Sequence, residues 1–179
     1  MKHQNGKVKT NEYAIAEDFQ RIFEENMASL YLLALLLTRD HDKAQQCFVA
    51  GIEERAHANQ VFKVWAHNWA KRTIIQNAIR ALKPHPDAER ASLSATDSVC
   101  KEARTFIESD LFHVLALDDF ERFVFVMSVL ERMSDLECAV LLGYSVEKVR
   151  EARAQALRQI AAESVRHRET QMPASAAAR

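Results

Sequence analysis

Turn formers are scarce in this chain, and their scarcity removes one fold class at once. Three glycines and three prolines in 179 residues are too few for a sheet-rich fold, which needs a tight turn every few residues. Cysteine is equally sparse. Cys47, Cys100 and Cys138 are odd in number and far apart, so they form neither a metal-ligand spacing nor a disulfide framework and fit a reducing compartment. No apolar run approaches the roughly 20 residues that span a bilayer; the longest, Leu30 to Leu37, has the length of a buried helix segment. The opening MKHQNGKVKTNEY lacks the apolar centre of a secretory signal. Neither sign of charge is in excess: the formal net charge is −1, so attraction to nucleic acid has to come from local patches. There is no Gly-rich phosphate loop, nucleophile elbow or metal-ligand set. The expectation is a cytoplasmic all-α protein with no cofactor, no metal, no enzymatic activity and no membrane insertion.

What is present is helical periodicity. Residues 12–38 read as one long helix with Phe19, Ile22, Phe23, Leu30, Leu33 and Leu37 on its core stripe. After Asp40, a second helix to about Ala58 turns Ala44, Cys47, Phe48, Ile52 and Ala56 inward. A third spans Val61 to Lys83 and ends where Pro84 removes a donor. Residues 84–98 lack an apolar period, and Val99 to Ser109 is a candidate short helix. The helix from Asp119 to Arg132 buries Phe120, Phe123, Val124, Met127 and Leu130. This divides the chain into an amino-terminal helical domain over 1–83, a linker over 84–110, a second domain over 111–165 and a disordered tail over 166–179.

Two stretches carry functional information. The first is Ser134 to Arg158. Ser134 precedes Glu137 by three, the spacing of a capping box. Leu136, Ala139, Val140 and Leu141 follow as an apolar face, and Gly143 stops the run with a residue that tolerates positive φ. Ser145 is an N-cap for a helix with Val149, Ala152, Ala156 and Ile160 inward. Helix, glycine turn, helix is the form of a DNA-reading helix-turn-helix and also of an ordinary helical hairpin. In a major groove, the amino-terminal half of the second helix lies nearest base edges, which selects Ser145, Lys148 and Arg150, with Arg153 one turn further toward phosphate.

The second stretch is the helix from Val61 to Lys83, which holds Lys63, Lys71, Arg72, Arg80 and Lys83 and no acid. Its expected core stripe is Val61, Trp65, Asn68, Arg72, Ile75, Ile79 and Leu82, polar in the middle, with Phe62, Trp65 and Trp69 close on the wheel. Bases beside aromatics suit a surface that grips phosphates and stacks unpaired bases; tryptophans filling a core beside solvated bases give the same spacing.

In this order the elements resemble a bacterial sigma factor of the extracytoplasmic-function type. The resemblance rests on Leu115 to Asp118, Glu121-Arg122, Phe125-Val126-Met127, Glu131, Ser134, Glu137-Cys138-Ala139, Leu141-Leu142-Gly143-Tyr144-Ser145 and Val149-Arg150. More loosely, it includes Phe19, Leu30-Tyr31, Ala34, Leu37-Thr38, Asp42, Ala44, Phe62, Trp65, Ala70 and Arg80. It covers about residues 18–83 and 111–160. It implies that the first domain docks on core RNA polymerase and opens promoter DNA, and that the second reads the upstream promoter element. Lys63, Trp65, Trp69, Lys71 and Arg72 then join the DNA-binding set, and Gln45, Gln46, Val49 and Glu53 face polymerase. An anti-sigma factor is a further implied partner.

Departures from the family pattern are concentrated at these surfaces. Ala44-Gln45-Gln46-Cys47-Phe48-Val49-Ala50 stands where the family carries an acidic stretch, and Trp69-Ala70-Lys71-Arg72 loses an asparagine. Ala152 and Gln155 replace customary arginines. The alternative function is therefore a degenerate sigma-like interaction protein or regulator, which binds polymerase or an anti-sigma partner without strong DNA reading.

Overall fold

Local chemistry sets the element boundaries, and packing collects the elements around one helix. The computed structural model describes residues 12–54, 61–86 and 109–171. Most of the expected linker, the end of the second helix with Ala56, the helix expected from Val99 and the last residues of the tail lie outside these. Among the described residues the fold is all-α, with eight α-helices and no strand beyond an isolated bridge between Tyr13 and Phe62. They are α1 Ala16–Glu25, α2 Met27–Thr38, α3 His41–Glu54, α4 Ala66–Leu82, α5 Ser109–Leu115, α6 Asp119–Phe125, α7 Asp135–Leu142 and α8 Val146–Gln171. A 3-10 turn, Lys63–Trp65, leads into α4, and a π-helical turn, Val126–Leu130, continues α6.

The helix expected over 12–38 is two helices. Asn26 leaves helical geometry at φ −111°, and its side-chain amide donates to the Ile22 carbonyl at 2.9 Å, ending α1. At the other end of α1, the Ile15 backbone N–H donates to the Asp18 carboxylate at 3.1 Å, satisfying an orphan donor of the first turn. α2 is apolar on every side and is buried accordingly: Leu30 and the whole of Leu33 to Thr38 are inside. It packs against α1, α3, α4, α6 and the π turn.

The stripe expected on α4 is corrected. Ala66, Ala70, Thr73, Ile74, Ile75, Asn77 and Ala78 are buried, whereas Asn68 and Arg72 are exposed and Trp65 is 59% exposed. The small residues let α4 approach α1, α2 and α3, so the large ones at Trp65 and Arg72 are turned outward. On the second half, Leu136 and Val140 are likewise 63% and 67% exposed, and Cys138, Ala139 and Leu142 form the buried arc of α7. Leu130, expected inside, is exposed as well. The π turn explains it: the Glu131 N–H donates to the Val126 carbonyl, five residues back, and each added residue rotates the following face by about 100°. α8 runs to Gln171, into the stretch from 166 expected to be a disordered tail, because residues 165–171 contain no glycine or proline.

One hydrophobic cluster contains residues from Phe23 and Ile74 to Val124, Met127 and Ala156, so residues from before and after the expected linker share a core. Arg122 crosses it, fully buried. Its guanidinium donates to the Leu37 carbonyl at 3.0 and 3.2 Å, the Leu117 carbonyl at 3.1 Å and the Asp119 carboxylate at 2.8 Å. Burial pushes Arg122 down to about 10, with Arg39 adding to the shift and Asp119 opposing it; the group remains charged at neutral pH. Arg39 reaches the same carboxylate at 2.8 Å from the left-handed residue that ends α2.

Candidate nucleic-acid and polymerase surfaces

The unit formed by α7, the turn at Gly143 and α8 is built by groups that satisfy helix-end donors. Ser134 accepts the Glu137 N–H at 3.2 Å, and Glu137 accepts the Ser134 N–H at 2.9 Å and its hydroxyl at 2.8 Å. These bonds, the backbone one first, hold the Glu137 carboxyl below its ordinary range, with the nearby Arg72 charge helping. Gly143 is left-handed at φ 77°, and the Lys148 N–H donates to the Ser145 hydroxyl at 3.3 Å at the start of α8. Val149, Ala152 and Ala156 are buried, as their spacing implies.

Three of the four candidate readers on α8 already have acidic partners. Arg150 donates through Nε to Asp135 at 3.1 Å, and Arg153 pairs with both oxygens of the same carboxylate. Lys148 stands 3.7 Å from Glu151. Ser145, Lys148 and Arg150 are exposed, while Arg153 is half-buried. Lys148, Glu151, Ala152 and Gln155 of α8 line a groove of about 430 Å³ together with Asp118, Asp119 and Glu121.

The basic set on α4 lies on a second groove. Trp65, Trp69, Lys71 and Arg72 line about 500 Å³ together with Glu131, Arg132, Met133 and Glu137 from the second half of the chain. Lys71 donates to Glu131 at 2.7 Å. Lys63 lies apart, 3.2 Å from Asp18. Trp69 is half-buried against Phe19, with ring centroids 4.7 Å apart. Trp65 is in an exposed cluster with Phe62 at 5.2 Å, which stacks on Tyr13 at 4.7 Å. The two tryptophans thus divide between the alternatives: one backs the core, and one is open to stacking.

Gln45, Gln46, Val49 and Glu53 are all exposed on α3. The helix turns Ala44, Cys47 and Gly51 inward, which leaves this side free. Cys47 and Cys138 are buried free thiols. Burial pushes both up, Cys138 to about 11, so neither is a thiolate at neutral pH.

The residues that sequence reasoning missed are the acids. Asp135 sits inside the Ser134–Glu137 capping box, where it reads as an ordinary first-turn carboxylate, and Glu131 reads as a solvated residue near the end of the helix expected over Asp119 to Arg132. Their partners are 15 to 18 and 60 residues away, beyond any periodic signal. No protein-family model matches the chain, and no curated protein matches it.

Proposed function

We propose that this chain is a sigma-like transcription initiation factor that binds core RNA polymerase and directs it to promoter DNA, acting in the cytoplasm by binding alone. The observation that carries the reading is the α7–turn–α8 unit. A reciprocal Ser134–Glu137 cap, a left-handed Gly143 and a buried Val149 leave Ser145, Lys148 and Arg150 exposed around the amino-terminal end of α8, the end a reader turns to bases. The exposed α3 side with Gln45, Gln46, Val49 and Glu53 is the surface assigned to polymerase. Trp65, beside the basic α4 face, suits an unpaired base.

The test is a pull-down with core RNA polymerase, followed by transcription from the promoter of the protein's own gene. Retention by core enzyme with specific initiation is expected; no retention at low salt overturns the reading.

The Asp135 and Glu131 pairs favour a second reading, in which the chain binds polymerase or an anti-sigma partner without reading DNA. Duplex affinity measured against salt separates the two, because phosphate contacts impose a steep slope. A flat slope with intact polymerase binding selects the interaction protein.

A further inference from the structure

One short connection carries acid to both basic sets. From the end of the π turn through the first turn of α7, residues 131–137 bear three carboxylates, Glu131, Asp135 and Glu137. Glu131 holds Lys71 of α4 at 2.7 Å. Asp135 holds Arg150 at 3.1 Å and also Arg153, both on α8. Glu137 and Arg72 line the same groove. The backbone places these groups by unusual means: the π turn ends at Leu130, and Arg132 follows with positive φ, 56°. The segment therefore turns sharply where it passes between the two surfaces.

We propose that residues 131–137 are an internal stand-in for nucleic-acid phosphate, which occupies both candidate DNA-binding surfaces in the free protein and is displaced when DNA binds. The inference rests on the DNA-binding part of the function proposed above. A carboxylate oxygen presents to an ammonium or guanidinium the same charged acceptor that a phosphate oxygen does. The cations are the exposed members, with the Lys71 and Arg150 side chains 33% and 61% accessible against 17% for Glu131 and for Asp135, so an incoming phosphate can approach each cation from the solvent side and compete with its carboxylate. A polyanion offers several such contacts together and gains from counterion release. Each contact made by wild type, however, frees a carboxylate that takes up a cation again, so internal pairing lowers both affinity and its salt dependence. The near-zero formal net charge, −1, adds no background attraction that would mask this competition.

The experiment uses the full chain, a labelled mixed-sequence DNA duplex and a labelled oligothymidine strand, with anisotropy followed across a salt series. Asp135→Asn frees Arg150 and Arg153 and should tighten duplex binding roughly threefold to tenfold at low salt. Its log–log salt slope should steepen by roughly 1 to 2. Glu131→Gln frees Lys71 and should act on the single strand, with a slope steeper by roughly 1. Glu24→Gln makes the same charge change on exposed α1 and should leave both at wild-type level. Asp135→Glu keeps the charge and should bind as wild type does; if it binds as tightly as Asp135→Asn, the effect is structural and the proposal falls. If wild type binds DNA and neither neutral variant binds more tightly or steeply, the proposal also falls while the DNA-binding reading stands. If no form binds either DNA at low salt, that reading fails and the proposal with it, leaving polymerase binding as a separate result.

Discussion

At the scale of single residues, two buried charges have measurable consequences. Arg122 satisfies the carbonyls of Leu37 and Leu117 and one oxygen of Asp119 from a fully buried position. Arg122→Ala removes both donors to the Leu37 carbonyl, leaves Leu117 and Asp119 with Arg39 alone and opens a cavity, and should cost about 3–5 kcal/mol in urea unfolding. Arg122→Lys, with one compact ammonium in place of a planar fork, should recover only part of that. Asp18 is the acid counterpart. Its bond from the Ile15 N–H holds the carboxyl below its ordinary 3.8, aided by Lys63 and Arg21 and opposed by burial. Folding therefore favours the charged form. The stability it contributes is present above 3.8 and is lost as pH falls through the lower, folded value. Asp18→Asn should reduce stability at neutral pH and flatten the acid limb of a stability–pH profile; an unchanged limb would exclude this role.

Elements are shaped by their ends more than by their interiors. Gly143 is left-handed, and a Cβ there would meet nothing within 4 Å. Gly143→Ala then tests backbone strain alone and should cost about 1 kcal/mol, with Gly143→Asn less costly because asparagine tolerates that region. Equal effects for the two would show that the turn relaxes. On α3, Gln45 and Gln46 are exposed and carry no charge to steer an encounter. Gln45→Glu with Gln46→Glu should raise the association rate with core polymerase and make it more salt-sensitive; stopped-flow measurement showing no change would remove this side of α3 from the interface.

Over the whole molecule, two expectations make different predictions. A chain divided at residues 84–110 would unfold in two steps. A shared core predicts one, because Leu37 and Ile74 pack in the same cluster as Val124 and Ala156, and Arg39 and Lys71 pair with Asp119 and Glu131 across it. Both tryptophans lie in the first half, at Trp65 and Trp69. Tryptophan fluorescence follows that half, while far-ultraviolet circular dichroism follows all the helices. The two should report coincident urea midpoints; separated midpoints would show that the halves unfold independently.

Much of this architecture was written locally. The all-α class follows from few turn formers and helical periodicity. The Ser134–Glu137 cap, the Gly143 stop and the inward stripe of α8 follow from residues within one or two turns of each other, where side-chain chemistry acts on its own backbone. What needed the tertiary structure were choices between surfaces. Periodicity identified Trp65 and Arg72 as one stripe of α4, but the alanines on another side allow closer packing, and helix approach decided which was buried. The π turn shifted the phase that put Leu130 outside. The acidic partners of Lys71, Arg150 and Arg153 are set by how distant segments cross, and a carboxylate's reach is a few ångströms in space whatever its distance along the chain.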